Sequence, residues 1–284
     1  MWNQFNIERS LNTKGYAIFN LFEQDEVEDL NSFFQSSTLN QAFTTHALPD
    51  RKHRKKVHEF LKAKFLKFTI PNYSPIWGNF MYKKPFGDNV QLHADWSYVE
   101  ETKHRSFNVW SPLVDTSLKN GCLWIVPFSQ KIVSSIRGVS LPRFYENEQE
   151  LLMKEYAVPL LLKKGDAVIY DHRLIHFSNP NYTKIGRSAA TMIFVPSNSI
   201  YSHFYQKNEN QILEYNFEKS DFLINLEFFK KPEGKISRTI DNSKIKGYTK
   251  NDIKLHLVKL NPFDRYRNRR PLKKLIKFNS SSSI

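Results

Sequence analysis

The chain has 284 residues and a formal net charge of +14 from 42 Lys+Arg and 28 Asp+Glu, and 40% of it is hydrophobic, with 23 Phe and 13 Tyr. That composition supports a folded core rich in β-prone side chains. It contains no apolar run of roughly 18 residues to span a membrane, no second cysteine to pair with Cys122, and no basic-then-apolar layout of a signal peptide in MWNQFNIERSLN, so a cytoplasmic protein is expected.

In chain order, KGYAIFNLF (14–22) alternates enough to be a first strand. EQDEVEDLNSFFQ follows with Val27, Leu30 and Phe33–Phe34 at helical spacing and acidic residues where a helix dipole favours them. Residues 51–67 (RKHRKKVHEFLKAKFLK) predict a basic helix with Val57, Phe60, Leu61 and Phe65 on its apolar side; His53 and His58 are expected to be exposed. From about 77 to 197, short apolar runs alternate with turn signals (KKPFGDN, DTSLKNG, LKKGD, SNPN, KIGR), the texture of a many-stranded sandwich, jelly roll or barrel. LPRFYENEQELLMKEY (141–156) interrupts it as a helix or loop, and the stretch from 203 to 230 reads as mostly helical. The division expected is a β domain with N-terminal helices over 1–205 and a helical extension over 206–284 ending in a basic, disordered tail. The charge is uneven: residues 228–284 carry 16 Lys+Arg against 4 Asp+Glu, leaving 26 and 24 for the rest. Such segments attract polyanions, although no interleaved aromatics mark a nucleic-acid platform.

The chemistry gathers in four side chains. In QLHADWSYV (91–99), His93 and Asp95 lie two apart and would share one face of a strand. His176 follows the apolar run DAVIY, and Arg187 opens RSAATMIFVP. Two histidines and a carboxylate without cysteine are the ligands of a facial triad that leaves positions open on Fe(II). A guanidinium in the same cavity can hold the far end of a small diacid through paired hydrogen bonds. His172 is read as structural, Asp171 and Asp115 as groups at strand ends, and Cys122 as a small core residue.

FMYKKP (80–85), HADWSYVEE (93–101), SFNVWSPLVDTSLKNGCLWIVP (106–127), KKGDAVIYDHRLIHFSNPN (163–181) and GRSAA (186–190) together resemble bacterial members of the phytanoyl-CoA dioxygenase family, as does the opening GYAIFNLFEQDEVEDL. The resemblance implies an all-β core with flanking helices, a double-stranded β-helix of jelly-roll or cupin-like form. It implies an Fe(II)- and 2-oxoglutarate-dependent dioxygenase that uses O2 and releases succinate and CO2. On it, His93, Asp95 and His176 match the iron ligands and Arg187 the partner of the distal carboxylate. Ser178 and Trp110 match positions near the cosubstrate, Lys83 matches a family lysine, and Asn181 matches a turn-shaping residue. A carboxylate at Asp95 favours hydroxylation over halogenation. Two positions depart from the pattern: Ala94 stands where the family often has Gln, and PFSQ (127–130) where it has P-G-S-H. The substrate expected is a small molecule or a carrier- or CoA-linked group, with the basic 51–67 segment bordering the mouth to receive an anion. A 2-oxoglutarate-independent cupin-like isomerase or epimerase and a non-catalytic polyanion-binding protein are the alternatives.

Overall fold

The computed structural model describes residues 4–36, 42–142, 145–218, 221–227, 230–245 and 247–259. Its helices are α1 (Gln4–Lys14), α2 (Gln24–Ser36), α3 (Arg51–Phe65), the short α4 (Gln149–Leu151) and α5 (Phe222–Asn225), and α6 (Lys250–His256). Its strands are β1 (Tyr16–Asn20), β2 (Tyr73–Lys83), β3 (Val90–His93), β4 (Phe107–Pro112), β5 (Leu123–Ile125), β6 (Val158–Pro159), β7 (Asp166–Asp171), β8 (His176–Ser178), β9 (Arg187–Pro196), β10 (Tyr201–Asn208), β11 (Gln211–Phe217) and β12 (Lys235–Asp241). Among the described residues they form a major sheet β1-β7-β4-β9-β2, a minor sheet β3-β8-β5-β6 and a third sheet β10-β11-β12. Every neighbouring pair is antiparallel.

The period-two alternation of side chains builds the layers. Inward from the major sheet point Tyr16, Ile18, Trp110, Val168, Tyr170 and Ala189, which pack against Leu123, Ile125, Val158 and Leu160 of the minor-sheet side. This shared interior is the double-stranded β-helix core. The outward residues Phe19, Phe80, Val109, Ile169, Met192 and Phe194 are covered by α2 and α3 through Val27, Leu30, Val57, Leu61 and Phe65. A Cβ on Gly78 of β2 would lie 2.9 Å from Cβ of Leu61 and 2.6 Å from Cε of Met192, so the glycine lets helix and sheet close up. Behind the minor sheet, Leu92, Phe177 and Trp124 meet Val133, Tyr145, Leu152 and, from the C-terminal segment, Ile253 and Leu257.

The region 201–217 is a hairpin, not a helix, with Tyr201 opposite Phe217. Its Tyr, Phe and Ile residues fit a pleated surface. The turn is marked by Asn208, whose Oδ1 accepts from the backbone N–H of Asn210 at 3.0 Å. The expected boundary at 205/206 therefore falls inside β10. Within the 141–156 stretch, Glu146–Glu148 form a 3-10 turn, followed by α4 and a π-turn over Leu152–Tyr156. Helix α6 is closed by a capping box between Thr249 and Asp252. The tail from 260 onward, expected to be disordered, lies outside the described residues. Among those described, no helix is long and apolar enough to cross a membrane.

Basic helix α3 begins at an Asp50 cap that accepts from the N–H groups of Lys52 and His53. Two of its polar residues depart from expectation. His58 is buried, stacks on Trp77 at 5.3 Å and accepts the Gly78 N–H at 3.0 Å, while His53 is half-buried. Arg54 is buried with Nη1 donating to the carbonyls of His46 and Leu226. Leu61 is wholly buried at the α3–β2 contact, so Leu61→Ala is expected to lower stability by about 2–5 kcal/mol, read as a reduced midpoint in urea unfolding with an unchanged slope.

Candidate metal centre

Strand β3 ends at His93 and β8 begins at His176, and the two are direct cross-strand partners with ring centroids 4.2 Å apart. Each ring is aimed by the backbone behind it. Nδ1 of His93 lies 2.8 Å from the carbonyl of Gln91, and Nδ1 of His176 lies 2.9 Å from the carbonyl of Leu174. A carbonyl can only accept, so Nδ1 carries the proton and Nε2 presents its lone pair. Oδ1 of Asp95 lies 3.9 Å from Nε2 of His93 and 3.7 Å from Nε2 of His176. These three donor atoms fall within 4.8 Å of one another, so the trio could hold a metal ion. Two imidazoles and one carboxylate, with no thiolate, suit Fe(II) with open positions.

Asp95 is not on the strand, as the alternation suggested, but in the loop after β3, and it needs its own supports. Nδ2 of Asn108 donates to its Oδ2 at 3.3 Å and to the Tyr170 hydroxyl oxygen at 2.9 Å. Burial pushes the Asp95 carboxyl up, but the imidazoles of His176, His172 and His93 together with Asn108 hold it below the ordinary carboxylate range. Burial and the Asp95 charge push the Tyr170 phenol far up, so it stays protonated. Arg137 fixes the loop backbone: Nε donates to the Asp95 carbonyl at 2.6 Å while Nη1 and Nη2 grip Glu101 at 2.6 and 2.9 Å. Ser106 joins Glu101 to His172, which burial brings to about 4 and keeps neutral. His172 and Cys122 are buried, Asp171 is held by Arg105 and Arg173, and Asp115 is held by Lys163. The Arg137–Glu101 pair was not anticipated from sequence. It joins two irregular segments, where no periodicity marks an inward side.

At the other end of the interior, Arg187 opens β9 opposite Lys83 of β2. The Arg187 guanidinium is fully buried, with its carbon 5.2 Å from the centre of the Trp110 ring, and its Nε has no hydrogen-bond partner among the described residues. Burial brings it to about 10, which leaves it cationic at neutral pH. Lys83 is also buried, and Nζ donates to the carbonyls of Ser178 and Asn179. Burial and then the nearby Arg187 bring it to about 7. Gly121 makes room for its stem: a Cβ there would stand 2.8 Å from Cδ of Lys83. No carboxylate pairs with either cation among the described residues. Two buried cations without a counter-charge are expensive, so this end fits an incoming carboxylate. Ser178 is buried on the same face of β8 as His176, between the two regions.

The departures from the family pattern also have places. Phe128, in the glycine position, adopts φ +71°, a left-handed conformation unfavourable for a side chain. Gln130, in the histidine position, is buried and donates from Nε2 to the Thr13 carbonyl at 3.0 Å, away from the donor trio. Asn181 shapes its turn by donating to the carbonyls of Lys84 and Ile185. Because Glu101 would be left buried without its counter-charge, Arg137→Met is expected to destabilise the protein by about 3–5 kcal/mol. Adding Glu101→Gln is expected to recover part of that loss; chemical unfolding of the single and double variants checks both.

The sequence profile described as phytanoyl-CoA dioxygenase (PhyH) matches residues 11–189. A phytanoyl-CoA dioxygenase domain-containing protein 1 homolog of Dictyostelium discoideum is 25% identical over 155 residues, 50% of this chain and 52% of that protein. Phytanoyl-CoA dioxygenase 1 of Oryza sativa subsp. japonica is 28% identical over 188 residues, 60% of this chain and 63% of the rice protein. The chain thus spans between half and two thirds of the length of these relatives. In structure, the epimerase SnoN solved with Fe3+, alpha ketoglutarate and nogalamycin RO superposes over 69% of this chain and 85% of SnoN, with TM-score 0.52 and 15% identity, a likeness of fold. The profile covers more than half of the sequence and every strand of the two facing sheets up to the start of β9, and the chain belongs to the phytanoyl-CoA dioxygenase family.

Proposed function

We propose that this chain is an Fe(II)- and 2-oxoglutarate-dependent dioxygenase that hydroxylates an unactivated C–H bond of a small-molecule or carrier-linked substrate. The observation that carries the reading is the pairing of features within one β-helix: the convergent Nε2, Nε2 and Oδ1 atoms of His93, His176 and Asp95, and the buried, carboxylate-free Arg187.

In this reading His93, Asp95 and His176 hold the iron, and Arg187 receives the distal carboxylate of 2-oxoglutarate, with Lys83 as a second positive charge and Ser178 and Trp110 lining its path. When bound, iron and 2-oxoglutarate together supply the activation of O2 and the oxidising power. The chain's own contribution is positional. The Nδ1–H bonds to Gln91 and Leu174 hold both imidazoles as Nε2 donors. Asn108 and Arg137 keep the Asp95 carboxylate in place. Trp110 packs against the Arg187 guanidinium and keeps water from it. The Asp95 carboxylate occupies the position a halide would need, which favours hydroxylation.

The test is anaerobic addition of Fe(II) and 2-oxoglutarate, followed by visible absorption for the charge-transfer band of the chelate and by a substrate screen scored by succinate. Asp95→Ala is expected to weaken Fe(II) binding on the order of 100-fold or more. Arg187→Met is expected to weaken 2-oxoglutarate on the order of 100-fold while leaving Fe(II) binding near normal. An unchanged 2-oxoglutarate affinity in Arg187→Met counts against the reading.

Lys83 gives a pH signature. Its ammonium is held at about 7 in the unliganded protein, and a carboxylate nearby favours the charged form. Above pH 7, binding must therefore take up a proton, and affinity falls as pH rises. Titration calorimetry at pH 8 in buffers of different ionisation enthalpy is expected to report uptake approaching about one proton, and Lys83→Met to abolish it.

A further inference from the structure

Two cavities meet beside the donor trio. The larger, about 370 Å³, is bordered by polar Asp95, Asn108 and Gln91 and by apolar Trp77, Met81 and Ile193. The smaller, about 190 Å³, has walls from Val133, Val139, Leu141, Pro142, Tyr145 and Tyr248. His93 and Trp96 border both, so a molecule seated in the smaller one abuts an iron-ligand position.

The charge balance of the smaller cavity is restrictive. Apart from His93, its charged wall residue is Arg137, and that guanidinium is already committed. Nε serves the Asp95 carbonyl, Nη1 serves Glu101 and the Ser134 carbonyl, and Nη2 serves Glu101. Ser134 accepts the Ile136 N–H at 3.1 Å, and the other polar atoms of the wall, on Tyr145, Tyr248 and Trp96, are uncharged. An ionised group entering this space leaves water for a wall that offers no free counter-charge among the described residues, at a cost of several kcal/mol. The volume sets the size: an apolar protein cavity of about 150 Å³ takes up benzene, so this one holds about one ring and its substituent.

The lysines of α3 do not alter this balance. Lys55, Lys56 and Lys62 border neither cavity, and Arg54 of the same helix is turned onto backbone carbonyls. The expectation that this helix receives an anion at the mouth therefore has no support at the site.

We propose that the smaller cavity seats an uncharged, apolar group about one ring in size, and that this group carries or adjoins the C–H bond that is oxidised. The inference rests on the oxygenase reading and narrows its substrate class to neutral cyclic or compact apolar compounds. A long acyl chain exceeds the space, and a carboxylate or phosphate finds no free counter-charge in it among the described residues. One wall, Tyr248, comes from the C-terminal segment beyond residue 189, where the family profile ends. That segment is anchored by Ile253 and Leu257 behind the minor sheet, so part of the selectivity lies outside the part of the chain that holds the trio.

The test uses the full chain and three probes of one ring: cyclohexanol, benzyl alcohol and benzoate. Ligand-observed NMR on the iron-free protein reads the cavity independently of iron and cosubstrate. The two neutral probes are expected to bind, and benzoate to bind about tenfold more weakly or not at all. Val139→Trp, which fills the space from a half-buried position, and Tyr248→Ala, which removes a wall, are each expected to weaken neutral-probe binding about tenfold with the thermal midpoint nearly unchanged. If Val139→Trp does not fold, Tyr248→Ala decides. Benzoate binding as tightly as benzyl alcohol, or neutral-probe affinity unmoved in a folded variant, overturns the proposal. Neutral probes that bind a protein giving no charge-transfer band with Fe(II) and 2-oxoglutarate uphold the cavity and defeat the oxygenase reading; a normal band with no probe binding does the reverse.

Discussion

The pairing of β3 with β8 is the constraint on which the site depends. With His93 opposite His176, the ladder brings two imidazoles to neighbouring positions on one face, where directly opposed residues have Cβ atoms only about 4.5–5.5 Å apart. Each ring then donates to a carbonyl of its own backbone two residues earlier. The same relation holds in both strands, so both lone pairs face the same point without help from distant residues. A slip of one residue in this register would turn one imidazole to the opposite face. The packing of Leu92 and Phe177 behind the minor sheet opposes such a slip, because it would expose them.

The third donor is held differently. Asp95 lies in a loop, and a loop carboxylate is only as fixed as the groups that hold it. The Arg137–Glu101 pair, Asn108 and Tyr170 serve that purpose from β4, β7 and the segment after β5. A buried ion pair of this kind contributes little net stability against a well-packed apolar replacement. Here it spends that stability on the position of a single backbone carbonyl. At the far end the balance is reversed. Arg187 and Lys83 are buried without a counter-ion among the described residues, so keeping both charged carries an electrostatic penalty. One end of the interior is complete in itself, and the other is poised for a ligand.

Much of this was legible in the sequence, for identifiable reasons. His93, Asp95, His176 and Arg187 stand out because their residue types are out of place in apolar, strand-forming runs. The amphipathic helices 24–36 and 51–65 and the alternation of the β region follow from side-chain period alone. Other features were hidden. The hairpin at 201–217 was hidden because its turn rests on an asparagine side chain and carries no glycine or proline to announce it. The burial of His58 depends on Trp77 and Gly78, which no local pattern connects to it. The clamp between Glu101 and Arg137 is a tertiary contact between irregular segments. Phe128 in a left-handed turn shows a local preference overridden by its surroundings, since its ring packs with the cluster behind the minor sheet.

The position of Tyr248 bears on how such a protein changes. The donor trio and the cation pair are held by the two facing sheets, whereas one side of the smaller cavity comes from a capped helix-bearing segment that reaches the scaffold through a few apolar anchors. Exchange of that segment alters the shape presented to an incoming molecule and leaves the donor residues in place, provided the apolar anchors that pack on Leu92 and Phe177 are kept. Selectivity can then drift, or be re-engineered by grafting, at a rate uncoupled from the chemistry, because the two properties are written in separable stretches of one polypeptide.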